Sequence, residues 1–238
     1  MAVSNVLAST KPTKTGLLAN VRPGSRLYPV RSLIQDRVAL VSVVFLAVVL
    51  LVSLATPWLS PYDPGFVDPL NRRLSPSQSH WFGTDEVGRD VLTRALYGAQ
   101  VSLLVGFSVT ISAAIVGTIL GLLAGYYNRL DSLIMRIMDG FMAFPSILLA
   151  IAIMASLGPR TINVIIALAV VYTPQIARLV RGTTLSVRTQ LYVESARSIG
   201  ARDGQILARY ILANSLSPLI VQCTFVFAYA IISEASLS

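Results

Sequence analysis

An all-α, polytopic membrane helix bundle is the fold class this sequence predicts, on three observations. Hydrophobic residues fill 54% of its 238 positions and charged residues only 13%, where a soluble domain carries about a quarter charged. The mean hydropathy is +0.69. The apolar residues are gathered into five uncharged segments, 38–58, 101–127, 140–157, 161–177 and 215–233, each close to the roughly 20 residues a helix needs to cross a bilayer.

The elements follow in order. Residues 1–37 are polar, rich in Ser, Thr, Pro and Lys, and read as a cytoplasmic tail that ends in a short interfacial helix near 30–37. The first span, 38–58, is preceded by more chain than a signal peptide's n-region, although Ser53-Leu54-Ala55 has the form of a weak cleavage site. Thr56-Pro57 and Ser60-Pro61 end it, and 59–100, with its Pro, Asp and Ser, reads as an outer loop. Residues 101–238 then form the transmembrane core. In the second span, Ala113, Gly117, Gly121 and Gly125 recur every fourth residue. That spacing puts them on one helix face where another helix can approach closely in lipid; the plainer reading is a chance scatter of glycines. Phe144-Pro145 predicts a kink near the entry of the third span.

Charge sets the orientation. Of 19 basic residues, those outside the cytoplasmic pieces are Arg72, Arg73, Arg89, Arg94 and Arg160, and the first loop adds five acids, so the N-terminus is expected inside. The net charge of +8 is accounted for by this topology rather than by a basic, aromatic-studded face, which excludes a nucleic-acid partner. One Cys and one His, Cys223 and His80, make neither a disulfide nor a metal site.

Two acids sit in or beside spans. Asp139 lies at the inner edge of the third and either marks a transport path or pairs with Arg136 one turn earlier. Glu234 follows 24 uncharged residues and is a candidate for the translocation path, against a structural pairing near the end of its helix.

The polar interruption between the last two spans, 187–214, is the most informative stretch. Leu191 to Ile199 has helix-forming composition and stops at Gly200, suited to leave a helix with a left-handed backbone. Asp203 is a plausible N-cap for a second short helix over 204–212, whose Ile206, Leu207, Tyr210 and Ile211 follow helical spacing. Two short helices joined at a glycine make an angular projection able to act on a partner protein. The alternative is a basic loop whose arginines sit among lipid headgroups.

An energy source is absent from the chain. A phosphate-binding loop needs a lysine after its glycine turn, and the only lysines are Lys11 and Lys14 in the tail. An ion-coupled carrier would show paired half-repeats and several intramembrane ionisable groups, which this sequence does not.

In 194–214, ESARSIGARDGQILARYILAN, the residues Glu194, Ser195, Ala196, Gly200 and Leu212 fall in register with the docking loop of ABC-importer permeases. Tyr210 and Ala213 depart from it, standing where the pattern has Ile and Pro. The string 80–91, HWFGTDEVGRDV, with Leu92-Thr93-Arg94 and Tyr97-Gly98-Ala99, resembles the signature ahead of the second helix in permeases of dipeptide and oligopeptide importers, and 139–151, DGFMAFPSILLAI, resembles their pattern again. In 80–94, Asp85 and Asp90 can cap helix starts and Arg89 and Arg94 can pair with them, as support for an outer mouth or, alternatively, contact with a delivery protein.

The resemblance implies a non-catalytic permease subunit of the cell (inner) membrane, paired with a second homologous permease, two ABC ATPase subunits that hold ATP and Mg2+, and an outer peptide-binding protein. This chain would bind no cofactor. The docking loop implies Glu194, Ser195, Ala196, Gly200, Asp203 and Leu212 as ATPase-docking residues. Importers of glutathione, nickel chelates or other small solutes have similar permeases, and a non-transporting membrane scaffold is the rival from another class. The resembled family continues through one more helix, so a sixth span is expected after 238.

Overall fold

The structure, a computed structural model, describes residues 37–60 and 62–237. The tail and interfacial helix expected before residue 37 lie outside the described residues. Among the described residues every regular element is a helix. The chain divides after Val52 into two units. The first holds 37–52, most of α1 (Arg37–Leu59), whose aliphatic run has a mean hydropathy of 3.1.

The second unit opens with the last two turns of α1 and a folded segment over 59–90. Asp85 organises this segment: it accepts backbone N–H bonds from Val87 and Arg89, both at 2.9 Å, and the guanidinium groups of Arg89 and Arg94 at 2.8 and 2.9 Å. Asp90 then starts α2 (Val91–Tyr126), accepting from the Thr93 backbone N–H at 2.8 Å and its hydroxyl at 2.7 Å. That cap explains why the helix begins at Val91 rather than at 101: a side-chain acceptor for the free N–H groups starts the helix well before the charge-free stretch does, with Arg94 carried inside it.

The third span differs most from expectation. A single helix over 140–157 kinked at Pro145 does not form; α3 (Asn128–Met142) stops, and α4 (Ser146–Leu157) starts after Pro145 with its axis turned by 92°. Proline lacks the N–H a continuing helix would use, but its φ of −55° suits the entry to a new one. Alone, the 12 residues of α4 reach about 18 Å at 1.5 Å per residue, short of a hydrocarbon core of about 30 Å. By length and composition, α1, α2, α5 (Thr161–Val187) and the last helix are each long and apolar enough to cross a membrane, and α3 with α4, bent by 92°, have the length and composition of a broken span or a re-entrant loop.

Helix α5 runs on to Val187 rather than stopping at 177, carrying Arg178 and Arg181. Both are paired with acids of α3, Asp139 at 2.6 Å and Asp131 at 2.5 and 2.6 Å, so charge that ended the apolar window does not end the helix. A short helix, α6 (Leu191–Ser198), follows. The second short helix expected over 204–212 is not separate: Asp203–Leu237 is one helix, α7, whose backbone widens to a π-helical turn over Ile206–Ile211.

The core of the second unit is one cluster drawn from α2 (Val105, Val109, Ala113), α4 (Ala150), α5 (Leu168, Val171, Tyr172, Ile176, Val180) and α7 (Val226, Ala230). Burial of Val, Leu and Ile side chains is worth about 1.5–3 kcal/mol each against water; in lipid the gain comes from close packing instead. Helices α2 and α5 meet where Gly117, Gly121 and Gly125 lie. A Cβ at these positions would stand 2.8 Å from Ile176 Cβ, 2.5 Å from the Ala177 carbonyl and 2.5 Å from Thr184 Cβ, distances that only hydrogen in place of a methyl permits.

Candidate functional site

The polar stretch between α5 and α7 is shaped by three local features. Its one free-standing helix, α6, buries Val193 and Ala196, Val193 within a small cluster with Val187 and, at the foot of α7, Ile206 and Ile211. Opposite them Glu194 and Ser195 are exposed, flanked by Leu191 and Ile199, which are 80% and 86% exposed. The acid in the first turn and Arg197 in the last suit the helix dipole. Gly200 ends α6 at φ +88°, the left-handed region; its N–H donates to the Arg197 carbonyl and the Ala201 N–H to the Ala196 carbonyl, both at 3.0 Å, closing the helix end.

The third feature joins this stretch to the rest of the bundle. Asp203 is not the N-cap that its position suggested. The Arg202 N–H is taken by the Gln205 side chain at 3.2 Å, and Asp203, the first residue of α7, accepts the Tyr126 hydroxyl at 2.5 Å. Arg197 donates to the same hydroxyl at 3.2 Å, with its guanidinium carbon 5.8 Å from the centre of the Tyr126 ring. Tyr126 is the last residue of α2, so one phenol touches α2, α6 and α7. Arg188 supports the same corner by donating to the Gly125 carbonyl at 2.8 Å and to the Asn128 side chain at 2.9 Å. Leu212 is half-buried within α7. The residues proposed for docking are therefore of two kinds, with Glu194 and Ser195 facing out and Ala196 holding the helix down.

Elsewhere, Asp139 does not pair with Arg136. Its partner is Arg178 of α5 at 2.6 Å, since α3 lies against α5 and brings a longer-range base within reach of the carboxylate. Glu234 is 8% exposed and accepts the Ser102 hydroxyl of α2 at 2.8 Å; the Tyr172 and Ser233 hydroxyls meet at 2.8 Å one residue away along α7. In the 59–90 segment, His80 lies 3.0 Å from Asp90 and stacks on Tyr62, and the Ser60 hydroxyl meets Thr93 at 2.6 Å. Burial pushes the Asp85 carboxyl up, but the N–H groups of Arg89 and Val87 and the guanidinium groups of Arg89 and Arg94 outweigh it and hold the group below its ordinary value. Asp90 is lowered in the same way, its burial outweighed by Thr93 and His80. Among the described residues no three metal-ligating side chains converge.

Tyr126, Arg197, Arg188 and the Asp131–Arg181 pair were not singled out from sequence. An aromatic residue at the end of an apolar run next to Gly125 was a visible signal for a boundary position, but nothing in the sequence tied it to Asp203.

Residues 117–238 match the family described as binding-protein-dependent transport system inner membrane component, and residues 30–76 match the N-terminal TM domain of oligopeptide transport permease C. A protein of Brucella abortus biovar 1 (strain 9-941), named as a peptide transport system permease, is 49% identical over 87% of this chain and 70% of its own length. The dipeptide transport system permease protein of Alkalihalophilus pseudofirmus is 45% identical over 87% of this chain and 68% of its own. The glutathione transport system permease protein of Escherichia coli O6:K15:H31 is 49% identical over 86% of this chain and 68% of its own.

Proposed function

The chain belongs to the family of inner-membrane components of binding-protein-dependent transport systems, and within that family we propose that it is a permease subunit of an ATP-driven importer of di- or oligopeptides, worked by separate ATPases that dock on residues 187–214. The observation that carries this reading is the exposed face of α6, where Glu194 and Ser195 are flanked by Leu191 and Ile199 at 80% and 86% exposure. A short helix, pinned from behind by Val193 and Ala196 and presenting a mixed acidic and apolar face, suits a protein groove better than a headgroup layer.

In this reading the N-terminus and the 187–214 elbow are cytoplasmic, and a second homologous permease completes the passage. An outer binding protein delivers cargo, and ATP and Mg2+ sit on the partner ATPases. Closure of the ATPases pushes α6, and the bundle rocks as packed bodies between outward and inward openings. Asp139, engaged by Arg178, is less suited to the path than Glu234, whose carboxylate meets a neutral serine hydroxyl. Similarity to a glutathione permease at 49% identity favours glutathione as the second reading; glutathione is itself a small peptide.

The test is to tag the chain, extract it from native membranes in mild detergent and identify what co-elutes, beside Glu194→Lys. Recovery of an ATPase and a second permease, with the ATPase lost in the variant, is the expected result. A well-folded chain that recovers no ATPase in either sample would transfer the assignment to a membrane scaffold.

A further inference from the structure

We infer that Tyr126 is a positioning residue for coupling: its hydroxyl, held between Asp203 and Arg197, fastens the exposed helix α6 to the end of α2 so that displacement of one moves the other. The inference rests on the docking reading of α6. The end of α2 and the distant α6–α7 turn meet at one oxygen, which donates to Asp203 at 2.5 Å and accepts from Arg197 at 3.2 Å. Both bonds engage a charged group, the stronger class of hydrogen bond. The ring adds a contact under the Arg197 guanidinium at 5.8 Å.

Besides this hydroxyl, α6 reaches α2 through the small apolar cluster that holds Val193, against which Leu122 and Tyr126 of α2 pack. Helix α6 has 8 residues, and its two buried side chains, Val193 and Ala196, are small. Its last turn ends at Gly200, where the space a Cβ would take is open, so no side-chain contact at that residue stiffens the turn. Helix α2 is the opposite: 36 residues long, with Gly117, Gly121 and Gly125 closed against α5. A push on α6 that deformed only the Gly200 turn would be lost, and the phenol prevents that by bridging the turn, with Arg197 before it and Asp203 after it. Displacement then passes into α2, whose contact with α5 transmits rigidly because packed interfaces do not deform continuously.

The test uses the full complex with its ATPases, the native cysteine removed by Cys223→Ser, and spin labels at Arg129→Cys, in the first turn of α3 three residues past Tyr126, and Ser198→Cys to read the distance between the α2–α3 junction and α6. With Tyr126 present, one narrow distance is expected, the same without nucleotide and after trapping with ATP and vanadate. Tyr126→Phe, which keeps the ring and removes the hydroxyl, is expected to broaden the distribution and make it shift on trapping, while the ATPases still co-purify. Arg197→Ala, which removes the α6 donor to the phenol, should broaden the distribution likewise, and adding Tyr126→Phe to Arg197→Ala should broaden it no further. A narrow, state-independent distance in Tyr126→Phe overturns the inference and leaves docking intact. Failure of the unmutated chain to retain any ATPase defeats the docking reading instead, and the nucleotide-free distances still report whether the phenol fastens α6.

Discussion

At the scale of single residues, Gly200 carries a requirement that its surroundings do not reveal. Space around it is open, yet its φ of +88° costs an L-residue roughly 1–2 kcal/mol, and proline cannot reach it at all. Gly200→Ala is therefore expected to weaken ATPase retention partially and Gly200→Pro to abolish it, both with normal membrane insertion; quantitative co-purification separates the three, and full retention with proline would refute the requirement. Asp85 and Asp90 give a pH dependence. Both carboxyls are held below their ordinary value of 3.8, so the folded 59–90 segment is favoured at pH values above that figure and the advantage is lost as pH falls through the lowered values. Hydrogen exchange of 60–90 is expected to quicken as pH is lowered below about 4, after correction for intrinsic exchange. Asp85→Asn, unable to ionise, should be faster already at neutral pH and change less with acid.

At the scale of elements, the α2–α5 seam and the α3–α5 ion pairs hold the bundle by different means. Gly121→Leu would drive carbon into the Ala177 carbonyl, 2.5 Å from a built Cβ, and overpacking of this kind costs about 1–3 kcal/mol. The yield of assembled complex from membranes is expected to fall, and an unchanged yield would refute the seam's importance. Arg181 and Asp131 are less than a third exposed and meet through two hydrogen bonds at 2.5 and 2.6 Å. Removing one partner strands the other, so Arg181→Ala should lower the thermal midpoint in detergent by more than the double variant with Asp131→Ala. Contacts to charged groups are worth about 1.5–3 kcal/mol, enough to read in a melting curve.

At the scale of the whole molecule, the proposal makes the chain a passive part whose movement is powered elsewhere. In the assembled transporter, ATP hydrolysis should rise when binding protein loaded with cargo is added, and a scaffold would leave it flat. A dipeptide and glutathione, each supplied on its own binding protein, distinguish the two cargo readings: the one that stimulates hydrolysis and is accumulated in vesicles identifies the substrate.

How much of this was legible in the sequence follows from how far each signal reaches. Hydropathy is a property of a contiguous stretch, so the all-helical membrane class and the places of the apolar helices could be read from composition alone. Helix ends could not. Val91 starts α2 because Asp90 caps it, and α5 continues past 177 because Asp139 and Asp131 neutralise Arg178 and Arg181, which had closed the apolar window. The right-angled break at Pro145 and the merging of 203–212 into α7 likewise depend on what the flanking chain packs against. Spacing placed Ala113, Gly117, Gly121 and Gly125 on one face, but which helix meets them is a tertiary fact. So is the meeting of Tyr126 with Asp203, 77 residues apart. The sequence by itself determined the solvent this chain inhabits and its secondary-structure class, because both follow from local side-chain chemistry. Only the tertiary structure decided the charge pairs and the fastening of α6, because long side chains choose partners by distance in space.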